Sequence, residues 1–189
     1  MHTAFQYNHY TLRRQVFALT GKLRLYNPSG QVALYSEQKM FKLREDIRIF
    51  GDEAKSQLLL NVKARQIIDF AAAYNVVDMT DNSRVGVLRR KGFRSMLRDQ
   101  WEIMDANERP LAVLEEDSMQ LALIRRFLLN LIPQNYDIVM GGARVVDIKQ
   151  RFNLFRYELD VDFAPNQAFD KRLGIAAAVL LAIVEGKQQ

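Results

Sequence analysis

One stretch near the end of this 189-residue chain, LGIAAAVLLAIVEG, restricts the fold more than any other. From Leu173 to Val184 a helix would carry no polar side chain on any face. Such a helix needs cover all round, from lipid or from its own protein. A bilayer core spans about 30 Å, or about 20 residues, whereas twelve residues rise roughly 18 Å. Lys171 and Arg172 precede the run, only Glu185 and Lys187 follow it, and there is little aromatic or charged anchoring at either end. The reading is therefore a buried core helix over 170–185, capped by Asp170 and ended by Gly186, and not a transmembrane segment. Gly174, Ala176, Ala177, Ala178 and Ala182 would let a wall approach closely. Burying the seven larger residues at about 1.5–3 kcal/mol each makes this helix the centre of the fold's stability.

The rest of the chain reads as short strands separated by turns. KLRLYN and QVALYS flank the tight-turn sequence NPSG, Asn27 to Gly30. DIRIFGD and LLLNVKA flank EAKS; NVVDM and VGVLRRK flank TDNSR; WEIMD and LAVLEED flank ANERP. YDIVM and ARVVDIK flank Gly141-Gly142, and FRYELDVDF is a last strand. A meander of ten or more strands tends to close on itself, because closure removes unpaired edges. A sandwich is the rival; the repeats are too short for propeller blades. A barrel of about a dozen strands has a lumen wide enough for one helix. The expected fold is mainly β (α+β): a closed antiparallel barrel of about twelve strands around the C-terminal helix. SMQLALIRRFLLNLIP predicts one additional helix near 118–131. Residues 1–9 are expected to be a flexible N-terminal segment, and 10–186 a single domain.

With 49% apolar and 26% charged residues, the composition is that of an ordinary globular protein. The absence of cysteine excludes disulfides and thiolate chemistry and suits a reducing compartment. The N-terminus lacks an apolar signal-peptide core, so a cytoplasmic protein is expected. No P-loop, G-x-G-x-x-G or G-x-S-x-G motif is present, and the histidines are His2 and His9. Asp160 and Asp162 share a strand face and could hold a metal or form an acid/base pair, but the favoured reading sets them toward solvent. The expectation is no catalytic residue, no metal and no cofactor: a protein that is not an enzyme.

Together, the strand order and the terminal helix resemble the LURP-one-related family, grouped with phospholipid scramblases and the C-terminal domain of tubby proteins. Gln15 to Leu19 match a "Q-x-F-s-l" opening strand, and Tyr26 to Gly30 an "I-x-D-x-x-G" hairpin with Asn27 where Asp is usual. Phe41 to Asp46 and Leu59 to Lys63 match the "k-x-x-l-x-d" turn and the "l-l-x-i-k" strand. WEIMDANERPLAVL resembles the later "W-x-V-x-D-x-x-G" hairpin, with Arg109-Pro110 replacing Gly. The end of the chain is similar to "Y-x-l-x-V" followed by the terminal helix. The resemblance implies a twelve-stranded barrel around that helix. Tubby domains bind phosphoinositides and scramblases are linked to lipid movement, so it also implies a link to lipids. No tubby phosphoinositide motif can be matched residue by residue, and the Pro-rich, cysteine-rich and calcium-binding segments of scramblases are absent.

A net charge of +5 permits attraction to phosphate-bearing partners. RVGVLRRKGFRSMLRD carries the densest basic run, with Arg89, Arg90, Lys91, Arg94 and Arg98 around the apolar Phe93, Met96 and Leu97. KMFKLRED adds Lys42 and Arg44 on one strand face. These seven residues are the candidate contacts for anionic lipid or phosphoinositide headgroups at a membrane surface, each worth about 1 kcal/mol there. The bland alternative is a set of solvated outer-face charges. The expected function is a binding module or scaffold, peripheral at a membrane. The alternative is a protein- or nucleic-acid-interaction role for the same surface. Nucleic acid is disfavoured by the small charge excess and the lack of an exposed-aromatic strand motif or a helix-turn-helix signal.

Overall fold

The computed structural model describes residues 1–15, 20–39, 46–65, 72–91, 100–116, 134–153, 156–165 and 168–184. Twelve strands run in chain order: β1 (His9–Gln15), β2 (Thr20–Tyr26), β3 (Val32–Lys39), β4 (Asp46–Phe50), β5 (Leu58–Ala64) and β6 (Ala73–Asp78). They continue as β7 (Ser83–Arg90), β8 (Gln100–Met104), β9 (Pro110–Glu116), β10 (Asn135–Met140), β11 (Ala143–Arg151) and β12 (Arg156–Phe163). Each strand pairs antiparallel with its sequence neighbour, and β1 closes the barrel against β12 from His9↔Asp162 to Gln15↔Arg156. The barrel is wrapped around α1 (Lys171–Val184), as the apolar run requires. The helix expected near 118–131, and the Gly186 stop, fall outside the described residues.

Strand alternation sets the two faces of the wall. Tyr10 and Leu12 on β1, Leu23 and Leu25 on β2, and Leu159 and Val161 on β12 point inward and are fully buried. Every residue of α1 from Leu173 to Val184 is buried against them. Close approach of helix and wall depends on two glycines. A Cβ on Gly86 of β7 would overlap the Met104 carbonyl oxygen and touch Leu173, and one on Gly174 would press into the Phe163 ring. Among the described residues, no helix is long and apolar enough to cross a membrane.

The expected turn at Asn27–Gly30 forms. The Asn27 side chain accepts the backbone N–H groups of Ser29 and Gln31, both at 3.0 Å, which closes the β2–β3 link. Residues 1–9 differ from expectation. Thr3–Phe5 make one 3-10 turn, Phe5 is fully buried, and His9 already belongs to β1. Tyr10 donates its hydroxyl proton to the Ala4 carbonyl at 2.7 Å, and Lys171 donates to Gln6 O and Asn8 Oδ1 at 2.8 and 2.7 Å. One aromatic anchor and a few backbone acceptors hold the segment, a signal too short for periodicity to reveal.

Asp170 caps α1, its carboxylate accepting the Arg172 N–H at 3.0 Å. A cation in the first turn opposes the helix dipole. Arg172 is compensated by two carboxylates, Asp78 on β6 at 2.6 Å and Asp170 at 2.5 Å. Burial pushes the Asp78 carboxyl up, but hydrogen bonds from Thr80 and Arg172 outweigh it and hold the group below its ordinary value. A depressed carboxyl contributes stability above its unfolded-state value and loses it as pH falls through the folded one. Asp78→Asn therefore lowers the unfolding free energy at neutral pH by about 3–5 kcal/mol. The gap to wild type closes as acid protonates Asp78, which urea titrations at a series of pH values read directly. Gly86→Ala lowers stability by about 1–3 kcal/mol through overpacking, in the same assay.

Candidate binding site at the helix C-terminal rim

An antiparallel meander sorts its connections between two rims. The links 27–31, 51–57, 79–82, 105–109 and 141–142 share the rim where α1 begins. The ends of β1, β3, β5, β7, β9 and β11 share the other, where α1 finishes and Arg14 of β1 reaches the Ala182 carbonyl at 2.8 Å. The β7–β8 link, which carries the sequence-predicted Lys91, Arg94 and Arg98, springs from this second rim. Arg94 and Arg98 lie outside the described residues, as do Lys42 and Arg44 of the β3–β4 link.

The structure does not bring Arg89, Arg90 and Lys91 onto one surface, because the pleat turns successive side chains to opposite faces. Arg89 faces outward and is ion-paired with Glu102 on β8, its partner in register. Arg90 is half-buried, with its guanidinium 6.0 Å from the centre of the Trp101 ring, within cation–π range. Lys91 is exposed, and its backbone N–H bonds Gln100 O at 3.0 Å. Behind Trp101, Leu88 and Leu114 of the wall meet Ala177, Leu180 and Leu181 of α1 along an apolar seam too narrow to hold water. Tyr74 borders Trp101 at a ring separation of 6.0 Å. Arg90 and Trp101 thus form a cationic and aromatic lip over an apolar seam.

The sequence reading missed two residues of this rim. Phe152, just beyond β11, is 58% exposed, and Met1 is the other exposed large hydrophobic of the described residues. Arg156 opens β12, exposed and without an ion pair among the described residues. Their signal is RFNLFR, two aromatics between arginines, masked by the strand pattern on either side. On the outer wall, the described arginines pair with carboxylates. Arg65 and Arg84 share Glu108, at 2.9 and 2.7 Å. Arg13 and Arg151 share Glu158, at 2.9 and 3.5 Å.

Asp160 and Asp162 face outward and do not converge on a shared ligand. Asp160 accepts from Thr11 at 3.2 Å and Arg151 at 2.5 Å, while Asp162 lies 2.7 Å from His9 Nδ1. His9 Nε2 lies 3.3 Å from the Thr11 hydroxyl, giving an Asp–His–Thr chain with the connectivity of an activated nucleophile. Thr11, however, donates to Asp160, so His9 does not receive its proton, and the chain lies on the outer wall. Among the described residues, no cluster of His, Asp or Glu suited to a metal ion is present.

The two guanidinium partners hold the Glu108 carboxyl at about 2. Its carboxyl signal in NMR pH titrations is expected to stay that of the ion down to about pH 2. Removing either arginine, by Arg65→Ala or Arg84→Ala, moves the midpoint up toward the ordinary carboxylate range.

The LURP-one-related family model matches residues 32–182, from the start of β3 to the last turn of α1. No match to a curated protein is found. β1 and β2 precede the matched segment and supply the strands that close its barrel. With the match spanning well over half of its length, the chain belongs to the LURP-one-related family.

Proposed function

We propose that the protein is a non-enzymatic binding module that docks its helix C-terminal rim onto anionic lipid headgroups, as a peripheral protein at the cytoplasmic face of a membrane. The exposure of Phe152 beside the unpaired Arg156 carries this reading. An aromatic ring on a loop gains by leaving water for the acyl boundary, and the neighbouring cation gains about 1 kcal/mol at an anionic surface. Arg90 and Lys91 leave the same rim several strands away, so the cationic contacts are spread over a broad end rather than a point. Arg90 holds its guanidinium over the Trp101 ring, where a cation and an aromatic edge meet the rim together. On the outer wall, by contrast, the described arginines are matched to carboxylates.

Co-sedimentation with vesicles tests the reading. Pelleting is expected with phosphatidylserine-containing vesicles, not with neutral phosphatidylcholine, and is expected to weaken as salt rises. Phe152→Ala/Arg156→Ala is expected to weaken vesicle partitioning at least tenfold, and Arg90→Ala/Lys91→Ala about thirtyfold, from roughly 1 kcal/mol per cation. Equal pelleting of wild type and both variants would remove the rim from the proposal. Salt-dependent binding to nucleic acid without vesicle binding would assign the basic surface to a different partner.

A further inference from the structure

Arg14 is the one inward-facing arginine of β1, continuing the fully buried Tyr10 and Leu12 toward the rim where α1 ends. It is 8% exposed, and among the described residues no carboxylate pairs with it. Its neighbours in register are Tyr157 on β12 and Leu23 on β2. Glu158, next along β12, points outward and is shared by Arg13 and Arg151. The hydrogen bond Arg14 makes is from Nη1 to the Ala182 carbonyl, and Nε is sealed from water without a partner. A guanidinium stays charged at any ordinary pH, so a whole positive charge is buried here. The helix C-terminus returns about half a charge of opposite sign. The other end of the same helix shows what full compensation requires, with Arg172 held between Asp78 and Asp170. Isolated buried charges are costly, and a guanidinium edge with free donors is shaped for a planar or tetrahedral oxyanion.

We propose that Arg14 is the receptor of an oxyanion site at this end of the barrel, taking one phosphate group on the guanidinium edge that Ala182 leaves unused. The phosphate is either free or the headgroup of a lipid. The site lies on β1, half-way round the barrel from Arg90, and goes beyond the surface docking proposed above. Docking needs only cations outside the barrel; this site needs a cation within it.

The test is the thermal midpoint of the full chain in inorganic phosphate against chloride at equal ionic strength. Wild type is expected to show a saturable rise. Arg14→Lys keeps the charge and loses the fork, and is expected to need at least tenfold more phosphate. Arg14→Gln is expected to show no phosphate-specific rise. Should Arg14→Gln fail to fold, the wild-type and Arg14→Lys titrations decide the matter. A rise with phosphatidic acid vesicles alone, absent in Arg14→Lys, assigns the phosphate to a lipid headgroup. No rise with either source, or an equal rise in wild type and Arg14→Lys, overturns the site and leaves Arg14 as a cap of the helix end. Phe152→Ala/Arg156→Ala is expected to keep the phosphate response, so failure at the docking rim and failure at Arg14 are read separately.

Discussion

A helix with no polar side chain from Leu173 to Val184 can be stable in water only if apolar side chains surround it on every side. A two-layer sheet would leave one flank wet. A closed wall does not, so the β1–β12 pairing is a condition of the helix's burial as well as a device for removing sheet edges. The same requirement sets the composition of the helix, since a wall that touches it on all sides leaves room for alanine and glycine where strands come near. Phe163 over Gly174 and Leu173 against Gly86 are those near points.

Electrostatics then fixes the helix along the barrel axis. Its first turn carries Lys171 and Arg172, unfavourable at a positive dipole end. The fold supplies Asp170 and Asp78 for one and the Gln6 carbonyl and Asn8 for the other. Its last turn meets Arg14, a favourable sign at a negative end, with no carboxylate partner among the described residues. One end is closed by matched charges and short turns. The other collects an exposed phenylalanine, the basic residues Arg90, Lys91 and Arg156, and an aromatic lip. That asymmetry directs the functional reading to one rim.

The strands, their order and the terminal helix were legible because strands such as β4, β6 and β9 alternate inward and outward residues and each visible turn carries Asn, Asp, Gly or Pro. The site was legible only in part. Arg89, Arg90 and Lys91 are adjacent in sequence and looked like one patch, but the pleat and the pairing with Glu102 on β8 divide them. Glu102 is thirteen residues from Arg89, and no local pattern announces their meeting. Phe152 is isolated in sequence and gains meaning only from its position at the rim. Arg14 follows another arginine, Arg13, and only burial tells them apart. Arg13 lies against the Tyr26 ring on the outer wall, and Arg14 lies within.

By itself the amino-acid sequence determined that the last helix is buried, that short antiparallel strands surround it, and which family the chain resembles. Those properties follow from hydrophobic periodicity and turn chemistry, which are local. Tertiary structure decided which charges are spent on one another and which remain for a partner. Ion pairing across neighbouring strands depends on register, and register brings together residues up to about 150 positions apart, such as Thr11 and Asp160. Inward or outward direction at a rim is set by the same register, and it separates a solvated arginine from one that asks for an anion.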